Sequence, residues 1–78
     1  MGIANHIGNL GLLYRHSGDH EGAIRLLNSC LVYSERMGYW NGIRFSCENI
    51  YETLIEIGQA PEARKLRETY ASRYPGLR

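Results

Sequence analysis

Little in this sequence points to chemistry, and the absences narrow the field. Its 78 residues include two cysteines, two prolines, one phenylalanine and one tryptophan. Two cysteines are too few for a disulfide framework, and a reducing, cytoplasmic setting is the simplest reading. Nine Lys/Arg against eight Asp/Glu leave a net charge of +1. That balance gives no electrostatic ground for expecting nucleic acid or an anionic membrane as partner. The longest uninterrupted hydrophobic run is Cys30-Leu31-Val32, four residues if Tyr33 is counted, far too short to span a bilayer. The first residues, Met1 to His6, lack the basic start and apolar run of a signal peptide. They also lack the Ser/Thr of a myristoylation signal. No Ser/His/Asp set, Gly-rich phosphate loop or Cys-x-x-Cys pair is present. The expectation is therefore a non-catalytic chain with no cofactor and no metal. At 44% hydrophobic and 22% charged it has the composition of an ordinary folded domain. A chain this short buries only a little over ~60% of its unfolded surface, so its core must be thin.

The apolar residues that are present fall at helical spacing. Ile3, Ile7, Leu10, Leu13 and Tyr14 step by three or four and mark one stripe. It stops at Ser17-Gly18-Asp19, where Gly18 can take the left-handed conformation that ends a helix. Asp19 can cap the next helix, and Glu21 favours its positive end. Ala23, Ile24, Leu26, Leu27, Cys30, Leu31 and Met37 form a second face, closed by Gly38. Asn41 is the expected cap of a third helix carrying Ile43, Cys47, Ile50, Tyr51, Leu54 and Ile57, with Gly58 at its end. Pro61 suits the first turn of a fourth helix. That helix carries Ala63, Leu66, Tyr70 and Tyr74 and stops at Pro75-Gly76. No segment alternates with period two for long enough to argue a strand.

Shifting the chain by 40 places Ile7 on Cys47, Asn9 on Asn49 and Leu10 on Ile50. The same shift places Gly18 on Gly58, Ala23 on Ala63 and Leu26 on Leu66. One helix–turn–helix unit is written twice, about residues 3–38 and 41–76, in a single domain covering 1–78. Asn9-Leu10-Gly11-Leu12-Leu13-Tyr14 followed by Ser17-Gly18-Asp19-His20-Glu21-Gly22-Ala23 resembles a tetratricopeptide repeat. Gly11 would let a neighbouring helix approach, Tyr14 would fill the space beside it, and Ala23 would let the paired helices cross tightly. In the second unit Tyr51, Leu54 and Gln59 replace the helix Gly, the Tyr and the turn Asp, while Gly58, Ala63 and Pro75 keep the pattern. The period is that of longer members of the family, whose standard repeat has about 34 residues. The resemblance implies an all-α fold of two antiparallel helical hairpins in a right-handed superhelical segment. About three such repeats usually share a core. With two, the chain is either part of a longer array or completes its core by self-association. Tyr70 and Tyr74 on the last helix are expected to have nothing following to pack on.

The resemblance further implies protein–protein interaction. In the family the first helix of each pair lines a concave groove that holds an extended peptide. Carried over, the groove candidates are Asn5, Asn9, Leu12, Arg15 and His16 from the first unit. The second unit supplies Phe45, Glu48, Asn49, Glu52, Ile55 and Glu56. Asn9 and Asn49 either form a ladder of amides along a peptide backbone or brace their own helix pair. Glu48, Glu52 and Glu56 share one helix face, which either meets a basic ligand or is simply solvated. Arg44 partly offsets that charge from one turn before. The fourth helix is basic, with Arg64, Lys65, Arg67 and Arg73, and could complement the acidic face of another chain. Only Arg15, with His16, is positive in the groove, which argues against clamping a chaperone-type C-terminal carboxylate.

The remaining candidates have plain readings. His16 and His20 are four apart, a metal spacing on one helix, but the Gly18-Asp19 turn divides them. Cys30 and Cys47 lie on apolar stripes and are expected as small core residues. Tyr39 and Trp40 either set the angle between the hairpins or form an exposed aromatic patch. The expected function is a peptide- or helix-binding module of a larger regulatory or adaptor protein. The alternative is a structural, self-associating repeat, a homo-oligomer or spacer with no separate ligand.

Overall fold

Three short turns cut the chain into helices, and all three use one hydrogen-bond pattern. A computed structural model describes the backbone of residues 2–74 and the side chains of residues 5–74. The helices are α1 (Gly2–His16), α2 (His20–Met37), α3 (Trp40–Glu56) and α4 (Ala60–Arg73). No strand occurs among the described residues, so the fold is all-α as the apolar spacing predicts. At the first turn, the N–H of Gly18 donates to Arg15 C=O (3.1 Å) and that of Asp19 to Tyr14 C=O (2.9 Å). Gly38 and Tyr39 repeat this with Glu35 (3.3 Å) and Ser34 (2.8 Å), and Gly58 and Gln59 with Ile55 (3.1 Å) and Leu54 (2.8 Å). Gly18 and Gly58 sit at φ of +91° and +79°, the left-handed conformation this helix ending requires.

The residue after each turn glycine caps the next helix: Asp19, Tyr39 and Gln59. Only Asp19 does so with its side chain, accepting from the Gly22 N–H at 2.9 Å. The expectation that Asn41 caps α3 is therefore corrected. The turn geometry gives that place to Tyr39, and Asn41 already lies inside the helix. Pro61 falls in the first turn of α4, where a missing N–H costs nothing. The stop expected at Pro75-Gly76 lies outside the described residues, as does the side chain of Ile3.

Each helix packs on the next, and α1 also touches α3. The result is a slab of 30 × 28 × 14 Å. Its core is Leu27 and Leu31 of α2 against Ile43 and Ile50 of α3. Phe45, Cys47, Leu54, Leu66, Tyr70 and Tyr74 are partly buried around them. Close approach depends on small residues. A Cβ on Gly11 would meet Leu27 Cγ at 3.0 Å, and one on Gly42 would overlap Ser34 Oγ. Ala23 and Ala63, at equivalent positions of the two hairpins, are both completely buried.

Several residues placed on the apolar stripes lie outside this core. Leu13 is 62% exposed because α1 turns its glycines inward, and Leu13 lies about 200° around the helix from Gly11. Tyr14 is also exposed, with its ring edge laid on Gly22 of α2. Met37 is the last residue of α2 and Ile57 follows the last residue of α3, so both reach past their neighbours into solvent. Tyr70 and Tyr74 depart the other way. They fold back rather than lacking a partner, and Tyr74 meets Trp40 edge-on with ring centroids 5.4 Å apart.

Ser34 and Ser46 are buried with hydroxyls that have no hydrogen-bond partner among the described residues. Leaving such a hydroxyl unpaired costs about 1–3 kcal/mol. Ser46→Ala should therefore raise stability by about 1 kcal/mol, aided by the better helix propensity of Ala. Gly42→Ala gains the same propensity but forces α2 from α3, and should lower stability by about 1–2 kcal/mol net. Urea midpoints of the two variants test this pair; shifts of the same sign would contradict the packing described.

Candidate functional site

Helices α1 and α3 run side by side in the same direction, since each lies antiparallel to α2. Phe45 of α3 sits over Gly8, where an added Cβ would come within 2.7 Å of its ring. Nearer their C-terminal ends, Arg15 reaches across from α1. The predicted groove residues divide between these two levels.

At the lower level Arg15 is the centre of an ion lattice. Its Nε donates to Glu56 Oε1 at 3.1 Å and its Nη2 to Glu56 Oε2 at 2.8 Å, a bidentate fork. Nη2 also reaches Glu52 Oε1 at 3.4 Å, and Nη1 donates to Asn49 Oδ1 at 3.2 Å. Asn49 in turn donates from Nδ2 to Phe45 C=O at 2.8 Å. His20 Nε2 lies 3.4 Å from Glu56 Oε1. The Arg15 side chain is only 16% exposed, whereas the Glu52 and Glu56 side chains are 59% and 43% exposed. Hydrogen bonding from Arg15 holds the Glu56 carboxyl below its ordinary pKa, although desolvation opposes the shift. The bond to Glu56 likewise pushes the Arg15 guanidinium up. The charge facing Glu52 and Glu56 thus comes from α1 of the same chain.

At the upper level Asn5 and Asn9 of α1 face Asn41 and Phe45 of α3 across an open cleft of about 250 Å³. Tyr39 and Cys30 complete its wall. No described residue hydrogen-bonds to the side-chain amides of Asn5, Asn9 or Asn41, in contrast to Asn49. The structure therefore brings together Asn5, Asn9 and Phe45 in one cluster and Arg15, Asn49, Glu52 and Glu56 in another. Leu12 is half-buried, while His16 and Ile55 are exposed and join neither. Glu48 lines a separate cleft between α3 and α4. Tyr39, Cys30 and Asn41 were not expected in the cleft. The signal that could have found Asn41 is the parallel run of α1 and α3, which sets residue 41 beside residue 5 much as it sets 45 beside 9.

Outside these clusters, Glu35 of α2 gathers the end of α4. Its Oε2 accepts from Tyr74 O–H at 2.7 Å and from Arg73 Nη1 at 3.2 Å. Donating that hydrogen bond to the Glu35 carboxylate pushes the Tyr74 phenol up. Trp40, 40% exposed, lies on this assembly rather than standing apart from it. Neither cysteine is in a disulfide. Cys30 is buried and Cys47 only partly so. Burial, then the carboxylates of Glu35 and Glu48, push the Cys47 thiol up to about 11. Among the described residues no group of three His, Cys, Asp or Glu is placed to hold a metal, and no helix is long and apolar enough to cross a membrane.

The lattice carries a pH signature. Because the folded pKa of Glu56 lies below its unfolded value of about 4.3, its contribution is present in full above that value. It is lost as pH falls through the lowered, folded value. Urea midpoints followed from neutral pH into the acid range should fall less steeply for Glu56→Gln than for the parent chain. Equal slopes would mean that Arg15 does not hold the carboxyl. Compared with known proteins, the chain matches no family model, no curated protein and no solved structure.

Proposed function

We propose that this chain is a non-catalytic protein-interaction module whose cleft between α1 and α3 holds an extended peptide. The observation that carries this reading is the convergence of Asn5, Asn9 and Asn41 on one opening with Phe45 and Tyr39 in its wall. Each amide offers two donors and an acceptor, the complement of a peptide group, and does so without regard to side-chain sequence. A volume of about 250 Å³ accommodates one or two ligand side chains against the aromatic wall rather than a large enclosed molecule. Among the described residues the lining contains no carboxylate, imidazole or ammonium group. The Asn49 amide, engaged by Arg15 and Phe45, braces α3. The amide row is thus Asn5, Asn9 and Asn41 rather than Asn9 with Asn49.

The reading extends the resemblance to tetratricopeptide repeats, whose first helices line the ligand groove, and it suits a unit within a regulatory or adaptor protein. Thiols outside any disulfide suit a reducing compartment such as the cytoplasm. Peptides selected from a displayed random library on the immobilised chain supply the test. Asn9→Ala and Asn41→Ala should each weaken a selected peptide about tenfold, while Glu62→Ala on α4 leaves it unchanged. Failure to select any peptide, or selected peptides indifferent to both asparagine variants, would refute the assignment of the cleft.

A further inference from the structure

The wall of the asparagine cleft restricts the kind of peptide it can hold. Three recurring modes of peptide capture lack what they require there. Adding a strand needs an exposed sheet edge, and no strand occurs among the described residues. Seating an amphipathic helix needs an apolar groove for anchors spread over two turns. A cleft of about 250 Å³ takes one or two side chains, and three of its lining residues are asparagines. Holding an acidic or phosphorylated motif needs arginines, and none of the described lining residues is charged. What the cleft does have is two rings fixed in place beside a row of amides. Phe45 lies on Gly8, where an added Cβ would come within 2.7 Å of its ring, and packs against the core. Tyr39 lies on Gly42, where an added Cβ would come within 2.8 Å of its ring. Its backbone N–H donates to Ser34 C=O at 2.8 Å, so the turn holds it as well.

We propose that the occupant is a proline-bearing segment in the polyproline II conformation, uncharged where it enters the cleft; this rests on the reading of the cleft as a peptide site. Aromatic-lined grooves recognise that conformation in general. It has no internal hydrogen bonds, so its carbonyls are free to accept. Proline has no N–H, so the segment brings few donors that would go unpaired against helices whose own carbonyls are engaged. The amide N–H groups of Asn5, Asn9 and Asn41 supply the donors those carbonyls need. Spacing agrees. Asn5 and Asn9 are four residues apart on α1, about 6 Å along its axis. Two residues of polyproline II also advance about 6 Å, so carbonyls at alternate residues can meet both amides. The pyrrolidine rings lie against Phe45 and Tyr39. A charged side chain in their place would leave water with no opposite charge to meet it. Rings and segment are both rigid before they meet, which lowers the entropy lost on binding.

The test uses peptides selected on the full chain from the displayed library, resynthesised with acetylated and amidated ends. Selected sequences should be enriched in proline, and exchanging the selected proline for alanine should weaken binding at least about tenfold. Phe45→Ala should abolish that advantage of proline over alanine. Because Phe45 also packs on the core, Tyr39→Leu provides a second variant that keeps the backbone bond to Ser34. It should reduce the advantage severalfold with helical circular dichroism unchanged. Peptides weakened by Asn9→Ala and Asn41→Ala but showing no preference for proline would overturn this inference and leave the cleft as a peptide site. Proline peptides indifferent to Tyr39→Leu, or binding that requires a free terminal carboxylate, would overturn it too. A library that yields no peptide, or only peptides indifferent to the asparagines, would overturn both readings together.

Discussion

The close approach of α2 to α3 is the constraint on which the rest of the molecule depends. These two helices join the hairpins, and their facing residues Leu27, Leu31, Ile43 and Ile50 constitute the core cluster. A core of four large side chains can bury them only if the helix axes come near, and Gly42 against Ser34 makes that possible. Ser34, at that contact, and Ser46 of α3 are both buried with hydroxyls that have no hydrogen-bond partner among the described residues. The α2–α3 seam thus accepts the unpaired Ser34 hydroxyl along with its close packing. It also sets the position of α1 relative to α3, because α1 is held by α2 through Gly11 and Leu27. Both candidate clusters, the Arg15 lattice and the asparagine cleft, lie between α1 and α3 and inherit their geometry from that seam.

Helix number, helix type and turn positions were legible because each is encoded locally. Gly18, Gly38 and Gly58 mark turns wherever the chain is read, and the apolar stripes between them fix the period. The structure adds that these turns recur every 20 residues with one hydrogen-bond pattern. Agreement of Gly18 with Gly58 therefore says only that helices end alike. The 40-residue spacing rests on side-chain environment, as in Ala23 and Ala63, both completely buried, and Leu26 and Leu66, both half-buried. The faces were less legible. An apolar residue on a stripe is buried only as far as its neighbours reach it, and Leu13, Met37 and Ile57 remain exposed. Tyr70 and Tyr74 illustrate the converse. Tyr74 is held by Glu35 and Trp40, residues more than 30 positions earlier that no helical period could connect to it, and Tyr70 stacks on Tyr74.

The groove residues show why a row of candidates on one face need not act as one site. Asn9 and Asn49 are equivalent by position, yet one amide has no described partner and the other is engaged on both sides. The difference arises from Arg15. Its long side chain crosses from α1 to α3, and its fork fits the carboxylate of Glu56 while the remaining N–H groups take Glu52 and Asn49. The second hairpin has Ile55 at the corresponding position and cannot repeat the arrangement. Arg15 thus divides the α1–α3 surface into a braced lower half and an open upper half. Ligand recognition, if confined to that surface, must use the upper half. This is the physical reason that the proposed peptide site is narrower than the row of residues first considered.

The contrast between the two hairpins extends the same reasoning to the outer face. Substituting Gly8, Gly11 and Leu27 by Glu48, Tyr51 and Arg67 at the same register alters the kind of surface more than its position. The first set has two positions without side chains and one apolar knob, a shape that admits a close neighbour and excludes water. The second fills those positions and tips them with charge. A stack of identical hairpins would keep the first set on every unit, because each unit must receive the next in the same way. The second face thus carries both signs of charge beside a partly buried apolar wall of Cys47, Tyr51, Leu66 and Tyr70. The register that makes the hairpins alike inside thus makes them different outside.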